Sequence, residues 1–292
     1  MPSLTLAVLC HNNGHYLSEL LQSISKQSSK NFELLIIDNA SVDDSKKQIE
    51  KYQSNLLSLK FIYLAENVGE AGGMREILRN CRTDYVAIIH GDDFVGGDYV
   101  KDIHLNIKKY PKAVALSFPV LHFHDDLTSI KSVGEASWSK NRFLNRLLVN
   151  GMNPGVMPGV VLNLQVSGLS ELLHDPFPGL YNADVIFWSR FARRGFRVRK
   201  VKNLSYFYRR HASQSSSSSS NSIIIAKSRM QIADEAPSTF EKALCRATMR
   251  KESKLFVGYA DVLGVKQYMP TKNAELIFNL LNFCIRFLAK IL

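Results

Sequence analysis

Apolar runs and helically spaced apolar residues alternate along the first part of this chain. The runs cover residues 4–10, 32–37, 59–64 and 86–89, and each stops at small polar residues. Such short runs, closed by turn residues, read as strands buried on both faces, as in a parallel sheet. Between the first two, Leu17, Leu20, Leu21 and Ile24 recur at helical spacing. Further helices are predicted from Asp43 or Asp44, either of which can cap, towards Tyr52, over residues 71–81, and from Asp98 onward. Residues 113–118 read as a fifth strand. Strand alternating with helix predicts an α/β fold: a mostly parallel, doubly wound sheet flanked by helices.

The first four strands end in His11-Asn12-Asn13-Gly14, Asp38-Asn39-Ala40-Ser41, Glu66-Asn67-Val68-Gly69 and His90-Gly91-Asp92-Asp93. Parallel strands end on one side, so all four polar clusters should share one rim of the sheet, where ligands bind in open α/β folds. Two adjacent acids with a histidine there suit a hard divalent cation held against a diphosphate. A lone Gly-Asp-Asp would equally serve as a solvated turn with a helix cap.

The pattern then weakens. Residues 118–157 read as loop-rich, 162–173 as a helix and 176–179 as a turn. Residues 182–194 read as a helix stopped by Gly195, and 196–201 and 204–208 as strands. Six serines fill 215–220, and helices are expected over 223–233, 240–263 and 274–292. This divides the chain into a sheet-bearing domain (1–212), a serine-rich loop (213–222) and a helical appendage (223–292). In the last helix Asn279, Asn282, Arg286 and Lys290 form one polar stripe. It is too short and too charged to span a bilayer comfortably. Lying at a membrane interface and packing on the preceding helices fit the pattern equally well.

Composition narrows the partners. Among 292 residues, Lys and Arg outnumber Asp and Glu by 37 to 26, a net charge of +11. That surplus favours an anionic partner: a phosphorylated ligand, an anionic lipid surface or nucleic acid. The basic residues are not interleaved with a nucleic-acid motif, so nucleic acid is not expected. Cys10, Cys81, Cys245 and Cys284 lack metal-ligand spacing and read as reduced thiols. The N-terminus lacks a signal-peptide pattern. A cytoplasmic protein is expected, at the inner face of the membrane if the C-terminal helix lies on a bilayer and not on the preceding helices.

Taken in order, Val8-Leu9-Cys10-His11-Asn12-Asn13, Ile37-Asp38-Asn39-Ala40-Ser41, Asn67-Val68-Gly69-Glu70-Ala71-Gly72-Gly73 and His90-Gly91-Asp92-Asp93 resemble the inverting family 2 glycosyltransferases, whose fold is called GT-A. The resemblance covers residues 4–211, and the second and third motifs look most like the rhamnosyl- and galactofuranosyl-transferase branch. It implies a UDP- or dTDP-linked sugar donor and a Mg or Mn cation. Asp38 would read the base, and Leu9, His11 and Asn12 would line base and ribose. Asn67, Gly69, Gly72 and Gly73 would let backbone approach the donor, with Arg75 reaching its phosphates. Asp92 maps to the acid that binds metal directly, followed by Asp93, and His90 stands where the family's first acid would be. His211, in Tyr208-Arg209-Arg210-His211, would reach metal or diphosphate. Asp184 maps to the catalytic base, with Ala183 in place of the usual preceding Glu. The implied activity is transfer of a sugar to a hydroxyl of a glycan or lipid-linked acceptor in cell-surface polysaccharide synthesis. A non-catalytic nucleotide-sugar-binding protein is the main alternative, kept open by His90 and Ala183. A sugar nucleotidyltransferase is the other, but it would want a basic Gly-rich loop where His11–Gly14 stands.

Overall fold

The computed structural model describes residues 2–52, 58–124, 130–133, 157–173, 183–203, 206–211, 214, 231–232 and 235. Its centre is a seven-stranded sheet. In chain order the elements are β1 (Leu4–Cys10), α1 (Gly14–Ser25), β2 (Glu33–Asp38), α2 (Ser45–Tyr52), β3 (Leu59–Tyr63), α3 (Gly69–Asn80) and β4 (Tyr85–His90). Then come β5 (Phe94–Val95), α4 (Tyr99–Lys109), β6 (Ala115–Ser117), β7 (Val120–His124), β8 (Ile130–Val133) and β9 (Val160–Asn163). A 3-10 turn (Ser170–Leu173), α5 (Ala183–Arg193), β10 (Val198–Lys200) and β11 (Tyr206–Arg210) complete the described chain.

The large sheet runs β10-β6-β9-β4-β1-β2-β3. Strands β4, β1, β2 and β3 are mutually parallel, and β9 enters antiparallel between β4 and β6. The unbroken apolar runs are explained by burial on both faces. Along β1, Leu4, Leu6, Val8 and Cys10 face the layer containing α1 and α4, while Ala7 and Leu9 face the layer containing α3 and α5. Phe187, Trp188 and Phe191 of α5 bury their rings in that second layer and so fix where the start of α5 lies.

Two sequence expectations are corrected. Residues 118–157 contain β7 and β8, which join β5 and β11 in a second sheet, order β5-β11-β7-β8. Residues 162–173 are not a helix. Val160, Val161 and Leu162 slot into the large sheet, and the chain then turns through Ser170–Leu173. Leu162, Leu169 and Leu172 mimic helical spacing, but pairing with strands on both sides decides the backbone there. The helix to Gly195 forms as expected, and Gly195 ends it at φ 77°. The turn at 176–179, the serine tract and the C-terminal helices lie outside the described residues, apart from Gln231 and Ile232, which are helical. No helix among the described residues is long and apolar enough to cross a membrane.

Leu20 of α1 is wholly buried, whereas Leu105 of α4 is 55% exposed. Leu20→Ala should cost about 2–5 kcal/mol of unfolding free energy. Leu105→Ala should stay within about 0.5 kcal/mol. Urea denaturation of the two variants beside the parent checks the contrast.

Candidate active site

The ends of β1, β2 and β3 are knitted by side chains. His11 Nδ1 lies 2.8 Å from the Asn39 carbonyl, so this nitrogen must be the donor. Nε2 is then an acceptor, taking hydrogen bonds from Asn67 Nδ2 at 3.0 Å and Asn12 Nδ2 at 3.2 Å. Asn39 donates to Asn67 Oδ1 and the Gly69 carbonyl, and its own Oδ1 accepts from Val68 N–H. Asn12 (φ 54°) and Ala40 (φ 58°) take left-handed backbone conformations as the turns close. Asn12 N–H donates to Ser41 Oγ and Asn12 Oδ1 accepts from Val42 N–H. Asp43 accepts from the N–H groups of Gly14 and Ser45, and so joins the starts of α1 and α2. Its hydrogen bonds hold its carboxyl below the usual range, against the opposing effect of burial.

The fourth strand end carries the acids. Asp93 is buried, accepting from Tyr206 O–H at 2.7 Å and Arg209 N–H at 3.0 Å. Burial and the charge of Asp92 push its carboxyl well above the usual range. Arg209 lies between the rings of Tyr16 (4.8 Å) and Phe123 (4.7 Å), donates from Nε to the Asp92 carbonyl and pairs with Glu19. With its backbone clamped, Asp92 holds its carboxylate in the cleft, where His211 Nε2–H donates to Oδ2 at 3.0 Å.

His90, Asp92 and Asp93 bring ligand atoms within 4.8 Å of one another. His90 Nε2 is buried and makes no hydrogen bond among the described residues, although Glu70 Oε1 lies 4.0 Å away. Burial keeps this imidazole on the neutral side. An uncommitted neutral ring nitrogen beside carboxylates is a donor set that fits a divalent cation.

These strand ends open into one cleft of about 300 Å³. Leu9, His11, Asn67, Gly69, Asp92 and Asp184 line it together, with Asp184 arriving on the first turn of α5 from a different part of the fold. Other candidates lie around it. Asn12 borders it through His11. Asp38 is buried behind the β2 turn, accepting from Ser41 N–H at 3.0 Å. Gly72 and Gly73 lie inside α3, and a Cβ there would come within 2.6 Å of Val68 and 2.4 Å of Leu9. Gly73 thus allows α3 to pack closely against β1, and Gly72 leaves room for Val68 at the start of the helix. Arg75 follows on the same helix, and His211 stands behind Asp92.

Sequence reasoning left Glu70, His122, Tyr208 and Arg210 without roles, yet all four line the cleft. The signal was there: in Val120–His124 and Tyr206–Arg210, alternate positions share a face. His122 Nδ1 accepts from Arg210 Nε–H at 3.2 Å, and burial together with the guanidinium lowers His122 to about 4.

Comparison with known proteins agrees with this geometry. Residues 5–160 match the model of "Glycosyl transferase family 2". The poly(ribitol-phosphate) beta-N-acetylglucosaminyltransferase TarS of Staphylococcus aureus is 30% identical over 119 residues, 40% of this chain and 21% of the relative. The teichoic acid poly(glycerol phosphate) polymerase of Staphylococcus epidermidis is 34% identical over 97 residues, 32% of this chain and 13% of the relative. The matched stretch is thus a small part of each relative's length. Among solved structures, S. aureus TarS 1–349 in complex with UDP-GlcNAc superposes with TM-score 0.67 at 17% identity, covering 87% of this chain and 73% of that one. The mannosyltransferase PcManGT of Pyrobaculum calidifontis, in complex with GDP-Man and Mn2+, gives TM-score 0.54 at 16% identity, covering 97% and 87%. None of these is named as a rhamnosyl- or galactofuranosyl-transferase, so the likeness holds at the level of the family. With its sheet order, its acid-bearing strand end and a family match over residues 5–160, the chain belongs to glycosyl transferase family 2.

Proposed function

We propose that this chain is an inverting glycosyltransferase. It moves a sugar from a UDP- or dTDP-linked donor to a hydroxyl of a glycan or lipid-linked acceptor, in the synthesis of a cell-surface polymer. One observation carries the reading: Asp184 and Asp92 line the same cleft from two separate parts of the fold. A single in-line displacement needs a base on the acceptor side and charge neutralisation on the leaving-group side.

In this reading Asp184 takes the proton of the acceptor hydroxyl as its oxygen attacks the anomeric carbon. The bond from that carbon to the diphosphate oxygen breaks, and its electron pair leaves with the nucleotide diphosphate. Asp92 and the ring nitrogen of His90 would hold a Mg or Mn ion, with His211 and Asp93 supporting Asp92 from behind; the ion when bound supplies positive charge against the diphosphate. Leu9, His11 and Asn12 serve the base and ribose, with Asp38 behind them holding the turn through Ser41 N–H. Asn67, Gly69 and Arg75 serve the phosphates at the start of α3, where the helix dipole favours negative charge. Gly73 contributes by letting that helix sit close to β1, and Gly72 by making room for Val68 at the helix start. The UDP-GlcNAc complex of one structural neighbour supports a UDP-linked donor, and the relatives' names support a cell-wall polymer. A cytoplasmic location, with the C-terminal segment at the membrane face, completes the proposal.

Release of nucleotide diphosphate from a panel of nucleotide sugars, with donor affinity measured in parallel, tests it. Asp184→Asn should lower turnover about 10²–10⁴-fold, with the donor Kd changed by less than about threefold. Unchanged turnover in that variant would remove Asp184 from the mechanism, and binding without turnover in the parent would favour the non-catalytic alternative. Chelation with EDTA should stop product release, and added Mn²⁺ or Mg²⁺ should restore it. Release that persists in EDTA would refute the cation's part.

A further inference from the structure

The second sheet turns one of its faces to the cleft. Tyr208 and Arg210 lie on the same side of β11, and His122 pairs with Tyr208 across the ladder. Together with Val120, they form a wall built from a different sheet from the one whose strand ends carry His11, Asn39 and Asn67. The opposite face of this sheet is packed: Phe207 stacks on Phe94 at 4.6 Å and Phe123 meets Phe94 at 5.1 Å.

Arg210 is half-buried in this wall. Its guanidinium carbon lies 5.0 Å over the Tyr208 ring, and its Nε–H is spent on His122 Nδ1. No carboxylate among the described residues pairs with it. Arg210 lines the cleft, and the N–H groups on its two terminal nitrogens have no protein acceptor among the described residues. Since His122 Nδ1 accepts, its proton sits on Nε2, which has no protein acceptor among the described residues and adds a third donor direction. A half-buried guanidinium fixed by stacking, with no counter-ion among the described residues, is arranged to receive an anion, and its planar end suits two oxygens of one phosphate.

We propose that Arg210 and His122 form a phosphate subsite for the acceptor. The molecule that receives the sugar would then carry a phosphate ester close to the hydroxyl that is glycosylated. This rests on the reading of the cleft as a glycosyl-transfer site. In that reading the donor diphosphate is served at Asp92 and the start of α3, whereas Arg210 belongs to the wall that must admit the partner of Asp184. A net charge of +11 also suits an anionic acceptor.

The test loads the full chain with Mg²⁺ and UDP at saturation, then titrates sn-glycerol 3-phosphate and, separately, glycerol, by calorimetry. Glycerol 3-phosphate should bind at least tenfold more tightly than glycerol. Arg210→Gln should weaken glycerol 3-phosphate at least tenfold and His122→Phe about threefold, with the UDP Kd moving less than threefold in both. Arg210→Lys keeps the charge but loses the fork, and should fall between parent and Arg210→Gln. It also carries the test if thermal melting shows Arg210→Gln unfolded. Equal binding of glycerol 3-phosphate and glycerol to the parent, or unchanged glycerol 3-phosphate binding in the arginine variants, would overturn the proposal. So would a loss confined to UDP affinity, which would assign Arg210 to the donor diphosphate. Failure of the parent to bind UDP at all would instead count against the glycosyl-transfer reading, and the same titrations on UDP-free protein would still decide for or against the subsite.

Discussion

One buried carboxylate joins the two sheets. Asp93 leaves the end of β4 in the large sheet and receives its hydrogen bonds from Tyr206 and Arg209 of β11 in the small one. Each partner is itself held: Tyr206 is wholly buried, and Arg209 is sandwiched between two rings with Glu19 beyond. A buried carboxylate stripped of water is costly unless its lone pairs are satisfied, and here donors from a single strand satisfy both oxygens. The neighbouring Asp92 takes its position from this arrangement, because Arg209 grips its carbonyl while its carboxylate is left to His211 and the cleft. The two adjacent acids are thus chemically unlike. One is a buried joint and the other is a cleft group.

The part of the cleft at the ends of β1, β2 and β3 has a comparable logic built from neutral groups. His11, Asn39 and Asn67 form a closed set in which each hydrogen bond fixes the direction of the next. The carbonyl of Asn39 sets the His11 tautomer, and the tautomer sets which end of the Asn67 amide faces it. Such a network holds three loops in register without committing charge, so a charged ligand meets oriented dipoles rather than competing ions. Gly72 and Gly73 work beside it by a steric route, since a side chain at Gly73 would run into Leu9 of β1 and one at Gly72 into Val68 at the start of α3.

The large sheet was readable in the sequence because strands buried on both faces must be largely apolar, and β1, β2 and β4 are, apart from Thr5 and polar residues at the strand ends. The small sheet was not. Its strands are short, one face is given to the cleft, and His122, Tyr208 and Arg210 therefore break the apolar pattern where it would have been most useful. β9 was misread for the opposite reason: it is only four residues long, and the leucines that follow it imitate a helix. Among the candidate residues, those at strand ends could be anticipated, since their position follows from topology. That Asp38 lies behind its turn, and that the paired glycines serve packing, depends on distances between elements that no local pattern encodes.

Helix α5 has a different duty at each end. Its first turn brings Asp184 to the cleft, while near its last turn Arg190 pairs with Glu235 and Arg193 donates to the Ile232 carbonyl. Ile232 is itself wholly buried against the same core as Phe187 and Trp188. The far end of this helix is therefore gripped by Ile232 and Glu235, which lie beyond the serine tract and outside both sheets. A chain cut at residue 212 would keep every described strand of both sheets and yet lose the grip on the helix that carries the carboxylate.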